Sequence, residues 1–234
     1  MSQKIKSAIV LAAGLGKRMH PLTLEVPKPL VKVKGKPLLQ YSIDLLEMIN
    51  IQNIVVNVHY KSGQIIDFIN NLNNPKIQIS DETSKILDTG GGIKKAMELI
   101  DSSETIVINS DVLWEKDQAQ TLKKMINIFN PEIADALLCV TPLKNTKGYQ
   151  GEGDFVFLKK QKICRYQSND KNPFVYCGLQ IISHGVLNNV DEDVFSINEL
   201  WNKSISSARL MGFKTDIDVT HLGTSEIVAQ VNNE

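Results

Sequence analysis

The chain has 234 residues, with 26 Lys and Arg against 26 Asp and Glu. Hydrophobic residues make up 42% and charged residues 22%, which excludes wholesale disorder, and a formal net charge of zero excludes a protein that relies on a strong basic field to hold nucleic acid. No apolar run approaches the roughly 20 residues of a membrane helix, and the N-terminal apolar stretch is too short for a signal peptide. The three cysteines, Cys139, Cys164 and Cys177, form no C-x-x-C pair, so neither a disulfide framework nor a zinc site is expected. The expectation is a cytoplasmic protein. Cations are almost all lysine: 23 lysines stand beside Arg18, Arg165 and Arg209. An arginine in a glycine-rich loop therefore stands out for its bidentate geometry.

Ile5 to Ala12 is a short run rich in β-branched residues that stops at Gly14, which predicts a buried strand. A long loop to about Leu30 is expected next. Leu38 to Ile49 carries apolar residues at helical spacing, Asn53 to Val58 reads as a strand, and Ser62 to Leu72 as a helix with Ser62 as N-cap. Lys76 to Ser80 predicts a strand, Gly90 to Gly92 a turn, and Ile93 to Ile100 a helix. Thr105 to Asn109 follows as a strand, Asp117 to Phe129 as a helix, and Ala134 to Thr141 as a strand. Beyond Pro142 the pattern turns β-rich, with a hairpin over Asp154 to Leu158 and Lys162 to Tyr166, then a strand over Phe174 to Ile182. Helices are expected over Ser196 to Ser207 and Thr224 to Val231. Strands alternating with helices imply parallel crossovers and a sheet covered on both faces. The expected architecture is α/β, a Rossmann-like α/β/α domain with a mixed, mainly parallel sheet and a small β-rich insertion. One domain over 1–234 is expected, with one part over 1–141 and a second part with the closing strand and helix over 142–234.

The chemistry concentrates in Leu11-Ala-Ala-Gly-Leu-Gly-Lys-Arg-Met19, followed by Pro21-Leu-Thr23 and Pro27-Lys-Pro-Leu30. Gly14 and Gly16 follow the first strand, where backbone N–H groups can turn toward an anion with no Cβ in the way. Arg18 and Lys28 add charge to the same loop, which suits a triphosphate. A dinucleotide fingerprint would need glycine at Met19 and an acid near Lys34, and a Walker A loop would need glycine at Leu11. Both fail.

This stretch resembles the signature of the sugar-1-phosphate nucleotidylyltransferases, the NDP-sugar pyrophosphorylases. The similarity continues at Gly35-Lys-Pro-Leu38, Asp88-Thr-Gly-Gly-Gly92, Asn109-Ser-Asp111 and Gly223-Thr224. Asp88 to Ile93, Asn109 to Trp114 and Gly151 to Phe155 look most like the short bacterial uridylyltransferase branch that acts on N-acetylmuramic acid 1-phosphate in cell-wall sugar recycling. The resemblance implies an Mg²⁺-dependent transfer from an NTP, with UTP preferred, to a sugar 1-phosphate. Its partners would be small molecules, with neither nucleic acid nor membrane. It also assigns the parts: 1–141 to the nucleotide and 142–234 to the sugar.

Residue by residue, the resemblance gives the nucleotide to Leu11, Ala12, Ala13, Gly14 and Gly16, and the base and ribose to Thr89, Gly90 and Gly91. Arg18 would meet the leaving pyrophosphate, and Lys28 the α-phosphate and incoming sugar phosphate. Asp111, at a strand's carboxyl end, would hold Mg²⁺; on its own it would read as a turn or cap residue. Relatives carry a second acid in D-V-G-T, and here His221 takes its place, leaving His221, Asp218 from a shifted register, or Asp111 with phosphates alone to complete the metal site. Asp154, Tyr176 and Gly178 are sugar-pocket candidates, each with a structural reading beside it: a hairpin turn for Asp154, strand packing for the other two. His59, at a strand's end, reads as a cleft or a surface residue. Trp114 and Trp201 read as packing, and the cysteines as small buried hydrophobes. Two rival readings stand beside the uridylyltransferase. One is a guanylyltransferase for mannose 1-phosphate, or a relative acting on another sugar or on phosphocholine; the other is a nucleotide-binding regulator without turnover, motivated by His221.

Overall fold

The computed structural model describes residues 4–188 and 190–234. Strand β1 (Ser7–Leu11) has four buried residues and one half-buried, as a strand covered on both faces requires. The stretch to Leu30, expected as one loop, instead folds into short helical turns at Lys17–Met19, Leu22–Glu25 (α1) and Lys28–Leu30. A hairpin of Lys32–Val33 (β2) and Lys36–Pro37 (β3) follows. Leu38–Met48 (α2), Asn53–Val58 (β4), Ser62–Asn71 (α3), Ile77–Asp81 (β5), Asp88–Met97 (α4), Glu104–Asn109 (β6) and Lys116–Ile128 (α5) then alternate. Ala136–Pro142 (β7), Thr146–Lys147 (β8) and the hairpin of Phe155–Phe157 (β9) with Ile163–Arg165 (β10) come next. Phe174–Ser183 (β11), Ile197–Ser206 (α6), Leu210–Lys214 (β12), Val219–Thr220 (β13) and Ser225–Asn232 (α7) complete the chain.

One nine-stranded sheet runs through both parts of the chain. β1 lies between β4 and β6, parallel to both, and β4 pairs in parallel with β5. β11 comes from the later part but lies antiparallel between β6 and β7, and β12 pairs in parallel with β7. Period-2 alternation splits the core by face. Ala8 and Val10 join Leu39, Ile43, Ile65, Leu122 and Met125 on one side, under α2, α3 and α5. Ile9 joins Ile93, Ala96, Leu200 and Trp201 on the other, under α4 and α6. This is the expected three-layer, Rossmann-like arrangement of a mixed, mostly parallel sheet with flanking helices. A third cluster packs α7 through Val228 and Val231 onto Met19, Val33 and Leu222. Among the described residues no helix is long and apolar enough to cross a membrane.

Local expectations need correction at two helix starts. Ser62 is the first residue of α3 rather than its cap; Lys61 takes that position in the left-handed region. Gly90 to Gly92 lie inside α4, because long-range partners described below fix them there. Side-chain caps form instead at α6, where Ser196 and Glu199 close a capping box, and at α7, where Thr224 accepts from the Ile227 amide.

Gly178 shapes the strand beside the cleft. The pairing of β11 with β7 shifts register between Tyr176 and Gln180, and Gly178 sits in that irregularity at φ +77°. A Cβ there would lie 2.9 Å from Val112 Cγ2 and 3.2 Å from Asn109 Cβ. Gly178→Ala is expected to cost about 2–4 kcal/mol in urea unfolding, from left-handed strain plus overpacking. An unchanged midpoint would show that the bulge relaxes freely.

Candidate active site

The carboxyl ends of β1, β4 and β6 deliver Leu11, Asn57 and Asn109–Asp111 to one cleft of about 640 Å³, where α/β sheets place their ligands. The loop from Leu11 to Arg18 forms one wall, with Lys28 and Pro29 beside it. Ile86, Asp88, Thr89 and Val194 form the opposite end.

The glycine loop is shaped by its own motif. Gly16 has φ +64°, and a Cβ would fall 3.0 Å from Thr23 Cγ2 and 3.1 Å from Lys28 Cβ. The buried Thr23 donates its hydroxyl to the Gly16 carbonyl at 2.9 Å. The Pro-Leu-Thr and Pro-Lys-Pro segments therefore brace the loop while bringing Lys28 into the cleft. Ser110 Oγ donates to the Leu11 carbonyl at 2.7 Å, and the Ala12 amide donates to Asn57 Oδ1 at 2.7 Å. Among the described residues the amides of Ala13, Gly14, Leu15 and Gly16 have no acceptor within the chain, and the exposed Lys17 and Arg18 have no carboxylate partner. Free N–H groups beside two cations make an anion cradle. The Arg18 guanidinium packs against Gly223, where a Cβ would lie 3.6 Å from it.

Asp111 follows β6 and pairs with Lys28, Nζ to Oδ2 at 2.8 Å. The Lys28 side chain is 13% exposed and that of Asp111 32%, so the lysine stem is packed while the carboxylate opens to the cleft. Recession from solvent pushes the Asp111 carboxyl up, but the Lys28 charge and hydrogen bond, with smaller contributions from His221 and Arg18, outweigh it and hold the group below the ordinary range. The chain returns to Asp111 through an antiparallel rung. The Leu222 amide donates to the Asp111 carbonyl at 2.8 Å, the Leu113 amide to the Thr220 carbonyl at 3.1 Å, and Val112 pairs with His221.

His221 is thereby brought next to Asp111, while Asp218 is exposed, and neither of the two lines the cleft. His221 Nε2 is buried without a hydrogen-bond partner among the described residues. Burial pushes its pKa down against the pull of Asp111 and Asp154, with Lys28 and Arg18 adding to the depression, so the ring is neutral at pH 7. Among the described residues no three His, Cys, Asp or Glu side chains form a ready-made metal cage. The donor set is one open carboxylate beside a phosphate-type cradle, which suits Mg²⁺, an ion that takes one or two carboxylates plus substrate oxygens and water.

The other predicted residues fall differently. Thr89 lines the cleft, but Gly90 and Gly91 do not. Their amides donate to the Phe195 carbonyl at 2.9 and 3.1 Å, and Thr89 Oγ1 accepts from the Ile197 amide at 3.0 Å. A Cβ on Gly90 would strike the Phe195 ring, and one on Gly91 the Asp193 carbonyl. The glycines thus make room for the segment before α6, which closes over the start of α4 and lends Val194 to the cleft. Asp154 and Tyr176 also stay out of the lining. Asp154 accepts from Tyr149 Oη and from the Tyr176 amide, both at 2.8 Å, and the Tyr176 ring packs edge-on to Trp201 at 5.0 Å. Tyr176 Oη is buried without a hydrogen-bond partner among the described residues, and Gly178 lies in the bulge. His59 Nδ1 bonds the Glu82 carbonyl at 2.7 Å. Trp114 donates Nε1–H to the Asn109 carbonyl, and Trp201 to Gln180. Cys139 and Cys177 are buried, Cys164 is half-buried, and all three are free thiols.

Asn57, Glu82, Ile86 and Val194 line the cleft but lie outside every motif quoted from the sequence. A local signal existed only for Asn57, a lone polar residue inside an apolar strand.

The family model for nucleotidyl transferases matches residues 7–150. N-acetylmuramate alpha-1-phosphate uridylyltransferase of Caulobacter vibrioides is 33% identical over 228 residues, covering 95% of this chain and 94% of that one. Mannose-1-phosphate guanylyltransferase 1 of Arabidopsis thaliana is 27% identical over 228 residues, covering 90% of this chain and 60% of its own. The crystal structure of HddC from Yersinia pseudotuberculosis complexed with GMP-PN shares the fold at a TM-score of 0.76 and 24% identity, over 98% of this chain and 99% of that one. The chain belongs to the nucleotidyl transferase family and is an enzyme of its sugar-1-phosphate nucleotidyltransferase group.

Proposed function

We propose that this enzyme joins UTP and N-acetylmuramic acid 1-phosphate to give the UDP-sugar and pyrophosphate. The observation that carries the reaction class is the convergence of the free loop amides, Arg18 and the Lys28–Asp111 pair in one cleft. An oxygen of the sugar phosphate attacks the α-phosphorus, the new O–P bond forms, and the bond from the α-phosphorus to the bridging oxygen breaks as pyrophosphate leaves. Ala13 to Gly16 receive phosphate oxygens, Arg18 takes the charge of the leaving pyrophosphate, and Lys28 faces the α-phosphate and its attacker. Asp111 is the residue to hold Mg²⁺, with His221 beside it and Asp218 left outside. When bound, the ion supplies charge neutralisation and a template for phosphate oxygens. The base lies toward Ile86, Thr89 and Val194, and the part from 142 onward holds the sugar. Support for this nucleotide and sugar is the Caulobacter relative. UTP is a cytoplasmic nucleotide, and the enzyme works where it is found.

The test is pyrophosphate release with Mg²⁺ across four NTPs and a panel of sugar 1-phosphates. Turnover is expected with UTP and N-acetylmuramic acid 1-phosphate. Turnover with GTP and mannose 1-phosphate would keep the class and correct the substrates. NTP binding with no turnover on any sugar phosphate would overturn the catalytic reading in favour of a regulator.

A further inference from the structure

Under the start of α4 lies a buried carboxylate that the reaction does not call for. Glu82 directly follows β5 and is 1% exposed; Asn57, near the end of β4, is 3% exposed. Asn57 Oδ1 accepts the Ala12 amide at 2.7 Å, and Asn57 Nδ2 donates to Glu82 Oε1 at 2.7 Å. This chain has a direction. A backbone amide only donates and a carboxylate only accepts, so the Asn57 side chain must sit between them oxygen toward Ala12 and nitrogen toward Glu82. The opposite flip would face two donors at one end and two acceptors at the other. Glu82 is itself immobilised: its amide donates to the Val58 carbonyl at 2.8 Å, and its carbonyl accepts from the Lys85 amide at 3.1 Å and bonds His59 Nδ1 at 2.7 Å. Space for the pair comes from Gly92, where a Cβ would lie 2.7 Å from both Asn57 Nδ2 and Glu82 Oε1.

A buried carboxylate is costly to keep, and burial does push the Glu82 pKa up against the hydrogen bond from Asn57. An oxygen acceptor for Ala12 alone would not require it. What the carboxylate adds is the choice of amide orientation, and Ala12 is the residue from which the Ala13–Gly16 cradle departs. We propose that Glu82 is a positioning residue for nucleotide binding, acting through the Asn57 side chain to hold Ala12 and so to aim the loop amides at the phosphates. The proposal rests on the reading of this cleft as the NTP site.

The test is calorimetric binding of UTP and the other NTPs with Mg²⁺ to the whole chain, beside KM, kcat and thermal unfolding. Glu82→Ala is expected to weaken binding of the cognate NTP by about tenfold or more, with the KM for sugar phosphate unmoved, and Glu82→Gln to stay within about threefold of the native chain because its oxygen can still accept from Asn57. Asn57→Asp sets two carboxylates face to face and is expected to lose affinity. Adding Glu82→Gln to it restores the affinity, because the glutamine amide then donates to the aspartate while the other aspartate oxygen accepts Ala12. A merely structural carboxylate would not produce that rescue, and the rescue is readable even where Glu82→Ala fails to fold. Native affinity in Glu82→Ala, equal losses in Glu82→Ala and Glu82→Gln, or no rescue in the double variant would overturn the proposal. A native chain that binds no NTP would overturn the underlying reading and this proposal with it, a result distinguishable because it appears before any substitution is made.

Discussion

Replacing Asp111 with alanine lowers kcat by about a thousandfold or more, the scale of losing a charge that acts on the reacting phosphates, and leaves the fold intact. The reason lies in the exposure of the pair. Asp111 is the partner Lys28 meets at 2.8 Å, but its side chain remains 32% open to the cleft. Such a half-buried ion pair, its carboxylate open to the cleft, contributes on the order of 1–2 kcal/mol to folding, so thermal unfolding should move by only a few degrees. The backbone of Asp111 does the structural work, accepting the Leu222 amide at 2.8 Å, and alanine keeps that bond. If the carboxylate holds Mg²⁺, the Mg²⁺ concentration needed for half-maximal residual activity should rise sharply. Turnover near that of the native chain, or an unchanged Mg²⁺ requirement, would move the metal site elsewhere, and the neutral His221 beside Asp111 would be the next residue to replace.

The parallel half of the sheet and the Arg18–Lys28–Asp111 constellation were legible because their signals are local. β1, β4 and β6 are short continuous apolar runs, and the motif residues recur at nearly fixed spacing. Elements whose logic is long-range were not. Leu210–Lys214 has Gly212 at its centre, which lowers strand propensity; in the fold a Cβ there would lie 2.6 Å from Ile163 Cγ2 and 2.9 Å from Phe157 Cζ, so the feature that hides the strand is the one that lets it fit. Gly90 to Gly92 read as a turn for the same reason. Three glycines lack helix propensity, and only the Phe195 carbonyl, the Asp193 carbonyl and the Asn57–Glu82 pair, all distant in sequence, explain why α4 begins among them. The sugar-pocket candidates lie outside the lining of this cleft. The Asp154 carboxylate accepts from Tyr149 Oη and from the Tyr176 backbone amide, a pairing that a one-dimensional reading cannot see, while Tyr176 Oη is buried without a partner among the described residues. Ile86 and Val194 reach one cleft from segments more than a hundred residues apart, each an exposed apolar side chain of no note until the other faces it.

Lys28 tests whether the ion pair at the cleft is a resting arrangement or a structural one. Lys28 neutralises Asp111 across the cleft wall. With NTP and Mg²⁺ present, the carboxylate has the ion to face and the ammonium has the α-phosphate, so the pair would part as the site fills. Lys28→Ala is therefore expected to lower kcat by about a hundredfold to a thousandfold while raising the KM for NTP less than about tenfold, because the charge acts mainly where charge develops. Two secondary readouts follow from the electrostatics. Removing the ammonium takes away the main contribution that opposes burial at Asp111, so Mg²⁺ meets a less compensated carboxylate and its half-saturating concentration should fall. The same removal raises the Asp111 pKa. The native carboxyl is held low and stays ionised as pH falls; without Lys28 it takes up its proton sooner, so the acid limb of the variant's pH–rate profile should shift upward. Lys28→Arg keeps the charge on a wider, planar head and should recover part of kcat. A loss confined to NTP affinity, with kcat and the acid limb unchanged, would reduce Lys28 to a nucleotide contact and leave Arg18 as the principal cation of the reaction.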